Sequence, residues 1–271
     1  GHRRRLAISD RAWATFLLGL QEALPSASWC RASVVTGPLR AVKDDAEIEA
    51  LAAASAGADR VAEALVNGQI PLAGRTERSV SEHIGRLLLD AGHQKVNFAI
   101  VGSGPNSASP HHDAGDRVIG SGDSVVCDFG GTMNGYCSDI TRTVFIGGPP
   151  AEFRELYEVL ATAQAEAVAS ATVGRTCEEL DAVARRRINE AGYGDAFIHR
   201  TGHGIGREEH EDPYIVEGNG QAVAPGNAFS IEPGIYLEGR HGARIEDIVI
   251  AAQEGPMVLN HVRRDLACVE A

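Results

Sequence analysis

Asp128, Asp139, His203, Glu232 and Glu246 are the residues of this chain whose types and settings could do chemistry. Each lies in a segment that otherwise reads as core. Asp128 is in S-V-V-C-D-F-G-G, Asp139 in G-Y-C-S-D-I-T-R-T-V-F-I, His203 in H-R-T-G-H-G-I-G, Glu232 in A-F-S-I-E-P-G-I-Y and Glu246 in G-A-R-I-E-D-I-V-I. Removing a carboxylate from water is costly unless it is paired or bound to a cation. Four carboxylates with one imidazole make an oxygen-rich donor set of the kind divalent cations take. The pattern points to a hydrolytic metal site assembled from segments far apart in the chain.

Those segments need elements to position them. Residues 9–24 show a helical pattern, with Ser9 or Asp10 as N-cap and Pro25 beyond the end. Residues 26–43 read as short and irregular, and a domain boundary falls near Ala41. Asp44 or Asp45 opens an alanine-rich helix ending near Asn67-Gly68, with Ile48, Leu51, Ala58, Val61 and Leu65 as its apolar stripe. An internal repeat follows. Gly74, Arg75, Thr76, Arg86, Ala91 and Gly92 match Gly174, Arg175, Thr176, Arg186, Ala191 and Gly192 without a gap. Both copies read as Thr-capped helices ended by Gly, each preceded by a longer helix (45–67 and 151–172) and followed by an F-x-I or F-I segment. This predicts a duplicated, pseudo-twofold domain with a site between its halves. Strands are expected at 96–101, 123–129, 135–146, 227–232 and 243–251, punctuated by Gly and Pro. Strands and helix pairs segregate, which predicts an α+β class with an antiparallel sheet covered by helices on one face.

Composition removes several function classes. The chain has 271 residues, 44% hydrophobic and 23% charged, ordinary values for a globular protein. A net charge of −12 argues against nucleic acid and against an anionic membrane surface. Cys30, Cys127, Cys137, Cys177 and Cys268 are scattered without a CxxC, as expected for reduced thiols in a cytoplasmic protein. Arg3, Arg4 and Arg5 precede an apolar stretch, but Asp10 and Arg11 interrupt it, so it does not read as a signal peptide. No apolar stretch is long enough to span a bilayer. Gly1-His2 reads as a tag remnant. The glycines at 202, 204 and 206 give backbone freedom around His203; G-H-G-I-G lacks the Lys and helix cap of a phosphate loop.

Taken together, D-x₁₀-D, G-H-G-I-G, I-E-P-G-I-Y and R-I-E-D in that order resemble the pita-bread metallopeptidases, over roughly residues 40–271. That family includes methionine aminopeptidase, aminopeptidase P and Xaa-Pro dipeptidase (prolidase). R-A-V-K-D-D-A-E-I and G-S-G-P-N-S-A-S-P-H-H look most like prolidase. The resemblance implies a pita-bread fold: a pseudo-twofold, curved antiparallel sheet covered by helix pairs. It implies two divalent ions, Mn²⁺ or Co²⁺ first and Zn²⁺ or Fe²⁺ next, with a bridging hydroxide as nucleophile. Asp128 would bind one ion through both oxygens, Asp139 and Glu246 would bridge, and His203 with Glu232 would complete the second shell. Glu232 would also be the general base. His111 matches the family's substrate-facing histidine and His210 its second one, with His112 the weaker candidate and His199 a supporting residue. Thr141 would support Asp139. Arg244, two residues before Glu246 and on its face, would pair with a substrate carboxylate or neutralise the acidic cluster. Tyr236 would bond substrate or pack as a strand aromatic, and Asp247 would be structural. The implied partner is a short peptide with Pro after the scissile bond, and the implied assembly a homodimer. An aminopeptidase P-like enzyme and a non-catalytic peptide-binding homologue are the rivals. Full-length prolidase-like chains carry an N-terminal lobe, so residues 1–40 are expected to be a remnant of it and 41–271 the catalytic domain.

Overall fold

The computed structural model describes residues 4–270, so the Gly1-His2 reading lies outside the described residues. The first segment holds β1 (Arg5–Ile8), α1 (Ala14–Ala23), β2 (Ser28–Arg31) and α2 (Ser33–Ala41), with β1 and β2 paired in parallel. This differs from the sequence expectation in two ways. The first helix begins at Ala14 rather than at Ser9 or Asp10. Asp10 instead accepts hydrogen bonds from Ser33 N and Oγ, at 3.1 and 2.6 Å, and so tethers the start of α2. Residues 26–43, expected to be irregular, contain a strand and a helix. Gly37-Pro38 reads as a breaker, yet the α2 helix continues through Pro38. Its end is anchored by ion pairs from Arg40 to Glu208 and Glu211, contacts a local pattern cannot show.

Beyond Ala41 the duplication is visible at the level of single hydrogen bonds. The first half holds α3 (Asp45–Val66), α4 (Glu77–Asp90), β3 (Lys95–Ser103), β4 (Ser124–Met133), β5 (Tyr136–Cys137) and β6 (Ile140–Ile146). The second holds α5 (Ala151–Ser170), α6 (Cys177–Glu190), β7 (Gly202–Gly204), β8 (Glu211–Ile215), β9 (Ala228–Ile231), β10 (Gly234–Leu237), β11 (His241–Arg244), β12 (Asp247–Ala252) and β13 (Gly255–Val258), and β14 (Ala267–Val269) follows. Asp44 and Glu47 form a capping box at the start of α3, and Thr176 and Glu179 form one at α6, while Thr76 caps α4. Gly74 N donates to Ile119 O at 2.9 Å, and Gly174 N to Val223 O at 2.9 Å. Ile119 N returns to Arg75 O at 2.9 Å, and Val223 N to Arg175 O at 2.8 Å. Gly74 and Gly174 both have positive φ, 76° and 89°, a conformation an L side chain would strain. The halves diverge at the F-I segment: Phe98 lies on β3, whereas Phe197 follows a 3₁₀ turn (Gly194–Ala196) and forms no strand.

Each half carries its own sheet. One has the order β14-β6-β4-β3 with β5 beside β4, the other β13-β12-β9-β7-β8. All pairings within them are antiparallel except β14 on β6. Alternation along β4 explains how a carboxylate enters a core strand. Val125, Cys127 and Phe129 pack into the cluster formed with Ala58, Val61, Leu65, Val80, Ile84 and Leu88 of α3 and α4, so Asp128 projects from the opposite face. In the second half Phe229, Ile231 and Val249 pack on Phe153, Leu160, Leu180 and Ile188 of α5 and α6. The expected strands 135–146 and 243–251 are each broken, one at Ser138-Asp139 and the other at Ile245-Glu246. The breaks fall at two of the five acid and imidazole residues. Among the described residues no helix is long and apolar enough to cross a membrane.

Candidate metal centre

The two half-sheets meet where these interruptions lie. Asp128 on β4 stands opposite Thr141 on β6, and Glu246 N donates to Thr141 O at 3.2 Å, joining the halves. Arg142 clamps the same seam, donating to Glu246 O at 2.7 Å and to Asp247 Oδ1 at 2.8 Å. Asp247 is thereby structural, with Gln164 Nε2 also donating to it at 2.7 Å. Glu232 follows β9 directly, its N–H fixed to Thr201 O at 2.8 Å. His203 sits on β7, one strand over from β9.

The side chains converge. Ligating atoms of Asp139, His203 and Glu246 all lie within 4.8 Å of one another. His203 Nε2 is 3.2 Å from Glu232 Oε1 and 3.7 Å from Asp139 Oδ2. The Gly204 carbonyl, 3.1 Å from His203 Nδ1, can only accept, so Nδ1 carries the hydrogen and Nε2 turns its lone pair to the carboxylates. Thr141 Oγ1 donates to Glu246 Oε2 at 2.7 Å, and Ser230 Oγ to Glu232 Oε1 at 3.0 Å. Thr141 thus supports Glu246 rather than the expected Asp139.

The electrostatics are those of a cage lacking its charge. Burial, then repulsion from neighbouring carboxylates, holds Asp139 and Glu246 well above the usual carboxylate range. Asp128 is raised by burial too, with Arg244 opposing. Burial acts the same way on Glu232, but its contacts with His203 outweigh it and keep that carboxyl low. Asp128 Oδ1 and Asp139 Oδ1 are buried without any hydrogen-bond partner. Orphaned buried carboxylate oxygens beside an imidazole lone pair fit a hard or borderline divalent cation.

A cavity of about 610 Å³ opens over this cluster. His111, His199, His203, His210 and Arg244 line it, with Phe98, Ile100, Tyr214 and Val216 as apolar wall. His210 packs edge-on to His203 at 4.0 Å between ring centres. Burial, then the neighbouring His203, lowers its pKa to about 4. His112 faces away, its Nε2 2.8 Å from Glu77 Oε2, which leaves His111 as the cavity histidine of that pair. Two expected substrate contacts are otherwise engaged. Arg244 donates to Asp128 Oδ2 at 2.6 Å, Thr141 Oγ1 at 3.1 Å, Tyr236 OH at 2.8 Å and Pro110 O at 3.3 Å, so it neutralises the acidic cluster. Tyr236 does not line the cavity; it stands behind Arg244. Because Arg244 can only donate, the Tyr236 hydroxyl accepts from it and passes its own hydrogen to His199 Nε2 at 2.8 Å. His199 Nδ1–H then donates to Arg200 O at 2.7 Å. This relay fixes His199 as the neutral ring, consistent with burial lowering its pKa to about 4.

The sequence profile of metallopeptidase family M24 matches residues 48–253. The chain belongs to this family. It is 46% identical over 264 residues to the probable dipeptidase PepE of Mycobacterium tuberculosis, covering 97% of this chain and 70% of that one. The crystal structure of a prolidase from Thermococcus sibiricus superposes with a TM-score of 0.94 at 40% identity, covering 98% of this chain and 72% of the other. That of an X-Pro aminopeptidase from Thermotoga maritima gives 0.92 at 36%, covering 98% and 75%. The pita-bread architecture implied by the motifs is therefore that of this M24 chain.

Several cavity residues of the M24 site escaped the sequence reading. Phe98 and Ile100 were placed on a strand, and their two-residue spacing put them on one face, but nothing local says that face meets Asp128; the register pairing Ile100 with Asp128 does. Tyr214 lies opposite His203 across β7 and β8, again a matter of register. Arg200 stacks over the Tyr214 ring, 5.0 Å from its centre, and lines the cavity without any signal in its sequence setting.

Proposed function

We propose that this chain is a metal-dependent dipeptidase hydrolysing Xaa-Pro dipeptides. The observation that carries the reading is the pair of orphaned buried oxygens, Asp128 Oδ1 and Asp139 Oδ1, beside the Asp139–His203–Glu246 cluster. In this proposal Asp128, Asp139, His203, Glu232 and Glu246 hold two divalent cations, Mn²⁺ or Co²⁺ suiting a carboxylate-rich shell. Bound there, the ions would supply an acidified water and a Lewis acid for the scissile carbonyl. The protein's own groups do the rest. Glu232, kept ionised by His203, accepts the proton that water gives up. His111 and His210 face the reacting amide, and His210, neutral, offers an N–H to the developing oxyanion or a proton route to the leaving proline nitrogen. The closed apolar wall of Phe98, Ile100, Tyr214 and Val216 suits a proline ring.

The likeness to an X-Pro aminopeptidase supports a second reading, removal of one residue from a longer peptide. Protein loaded with Mn²⁺ and assayed on Gly-Pro, on Gly-Pro-Ala and on a Met-initiated peptide separates them. The proposal expects chelator-sensitive hydrolysis of Gly-Pro above the others. Cleavage of Gly-Pro-Ala alone would favour the aminopeptidase, and absence of both metal uptake and hydrolysis would favour a binding homologue.

A further inference from the structure

The cavity contains two arginines, and only one of them is spent. Arg244 is bonded to Asp128, Thr141, Tyr236 and Pro110. Arg200 has its guanidinium over the Tyr214 ring at 5.0 Å, and its buried Nε has no hydrogen-bond partner among the described residues. The cavity's own carboxylates do not quench it: Asp128 pairs with Arg244, and Glu232 and Asp139 lie against His203. Stacking on an aromatic face holds a guanidinium's plane and leaves its edge N–H groups free to grip a planar anion. Tyr214 is the direct register partner of His203, so the platform that carries Arg200 stands next to the metal-cluster histidine. Phe98, Ile100 and Val216 make the remaining wall apolar.

We infer that Arg200 is the anchor for the free carboxylate of the residue that leaves, which makes it the specificity-determining cation of the site; this rests on the dipeptidase reading. An apolar wall with one unspent arginine is complementary to a residue with an apolar body and an ionised carboxylate. In a dipeptide that carboxylate immediately follows the scissile bond; in a longer or amidated peptide it is absent. Arg244, the residue that spacing favoured for this role, instead balances the charge of Asp128.

The test compares glycyl-proline with glycyl-prolinamide on the Mn²⁺-loaded full chain, wild type beside Arg200→Met, Arg200→Lys and Tyr214→Leu. Wild type should prefer the free acid. Arg200→Met should lose about 10- to 100-fold in kcat/KM on the acid, mainly through KM, while changing the amide by no more than about twofold, the scale of a hydrogen bond to a charged group. Arg200→Lys should recover part of the preference, and Tyr214→Leu, which leaves the charge but removes its platform, should weaken it. Titration calorimetry with L-proline and L-prolinamide should give the same contrast without turnover. If a folded Arg200→Met, or Tyr214→Leu should the former not fold, retains the full preference for the acid, the assignment is overturned and the dipeptidase reading stands. If wild type cleaves only longer peptides, the dipeptidase reading fails first and takes the Arg200 assignment with it.

Discussion

Single residues in this molecule are set by what surrounds them after folding, and their titration should report it. Asp139 is held well above its unfolded pKa by burial and by Glu246 and Asp128. A raised carboxyl favours the folded state fully at pH below the unfolded carboxylate range and loses that contribution as pH climbs towards its folded value. In chelator, Asp139→Asn is therefore expected to melt above wild type, with a gap that widens between about pH 5 and 8 because the amide carries no charge to bury. With Mn²⁺ the order should invert. His199 has the opposite sign. Its pKa is lowered to about 4, so its contribution is complete above its unfolded value and is lost as the pH falls towards 4. Tyr236→Phe removes the hydroxyl that links Arg244 to His199, which should cost about 1–3 kcal/mol and raise the His199 pKa measured by NMR. The metal-cluster candidates were legible because an acid inside an apolar run is conspicuous. Arg200 and the Tyr236 relay were not, because their meaning lies in partners brought near by strand register.

Among the elements, the loop that presents His111 depends on one buried acid. Glu77, at the start of α4, accepts from Ser103 N and Oγ at 2.8 and 2.7 Å and from Asn106 Nδ2 at 3.1 Å. His112 Nε2 lies 2.8 Å away, and Gly115 N donates at 3.3 Å. Glu77→Gln replaces an acceptor with a donor in this network. It should lower peptidase turnover about tenfold by loosening His111, on the scale of a misplaced positioning contact, while metal content measured on the purified variant stays that of wild type. At this scale the long helices and their caps were readable from Thr, Asp and Gly at fixed offsets. The short strands β7, β8, β10 and β13, of three to five residues each, were not. Nor was α2, whose Gly37-Pro38 argues locally for a stop while the Arg40 ion pairs with Glu208 and Glu211 hold it from outside.

For the molecule as a whole, the five candidate ligands come from both duplicated halves, so a cation would act as a tie between them. Mn²⁺ at about 100 times its dissociation constant should stabilise the folded chain by about 2.7 kcal/mol. Differential scanning calorimetry with and without chelator measures this, and the shift should vanish in Glu246→Gln. The repeat that foretold two halves could not foretell how the first is completed. Its β6 takes β14 as parallel neighbour, pairing Val144 with Ala267 across the entire second half. During synthesis, then, the earlier half must wait on the ribosome with that edge bare until the last strand emerges, and such an unpaired edge invites strand exchange between nascent chains.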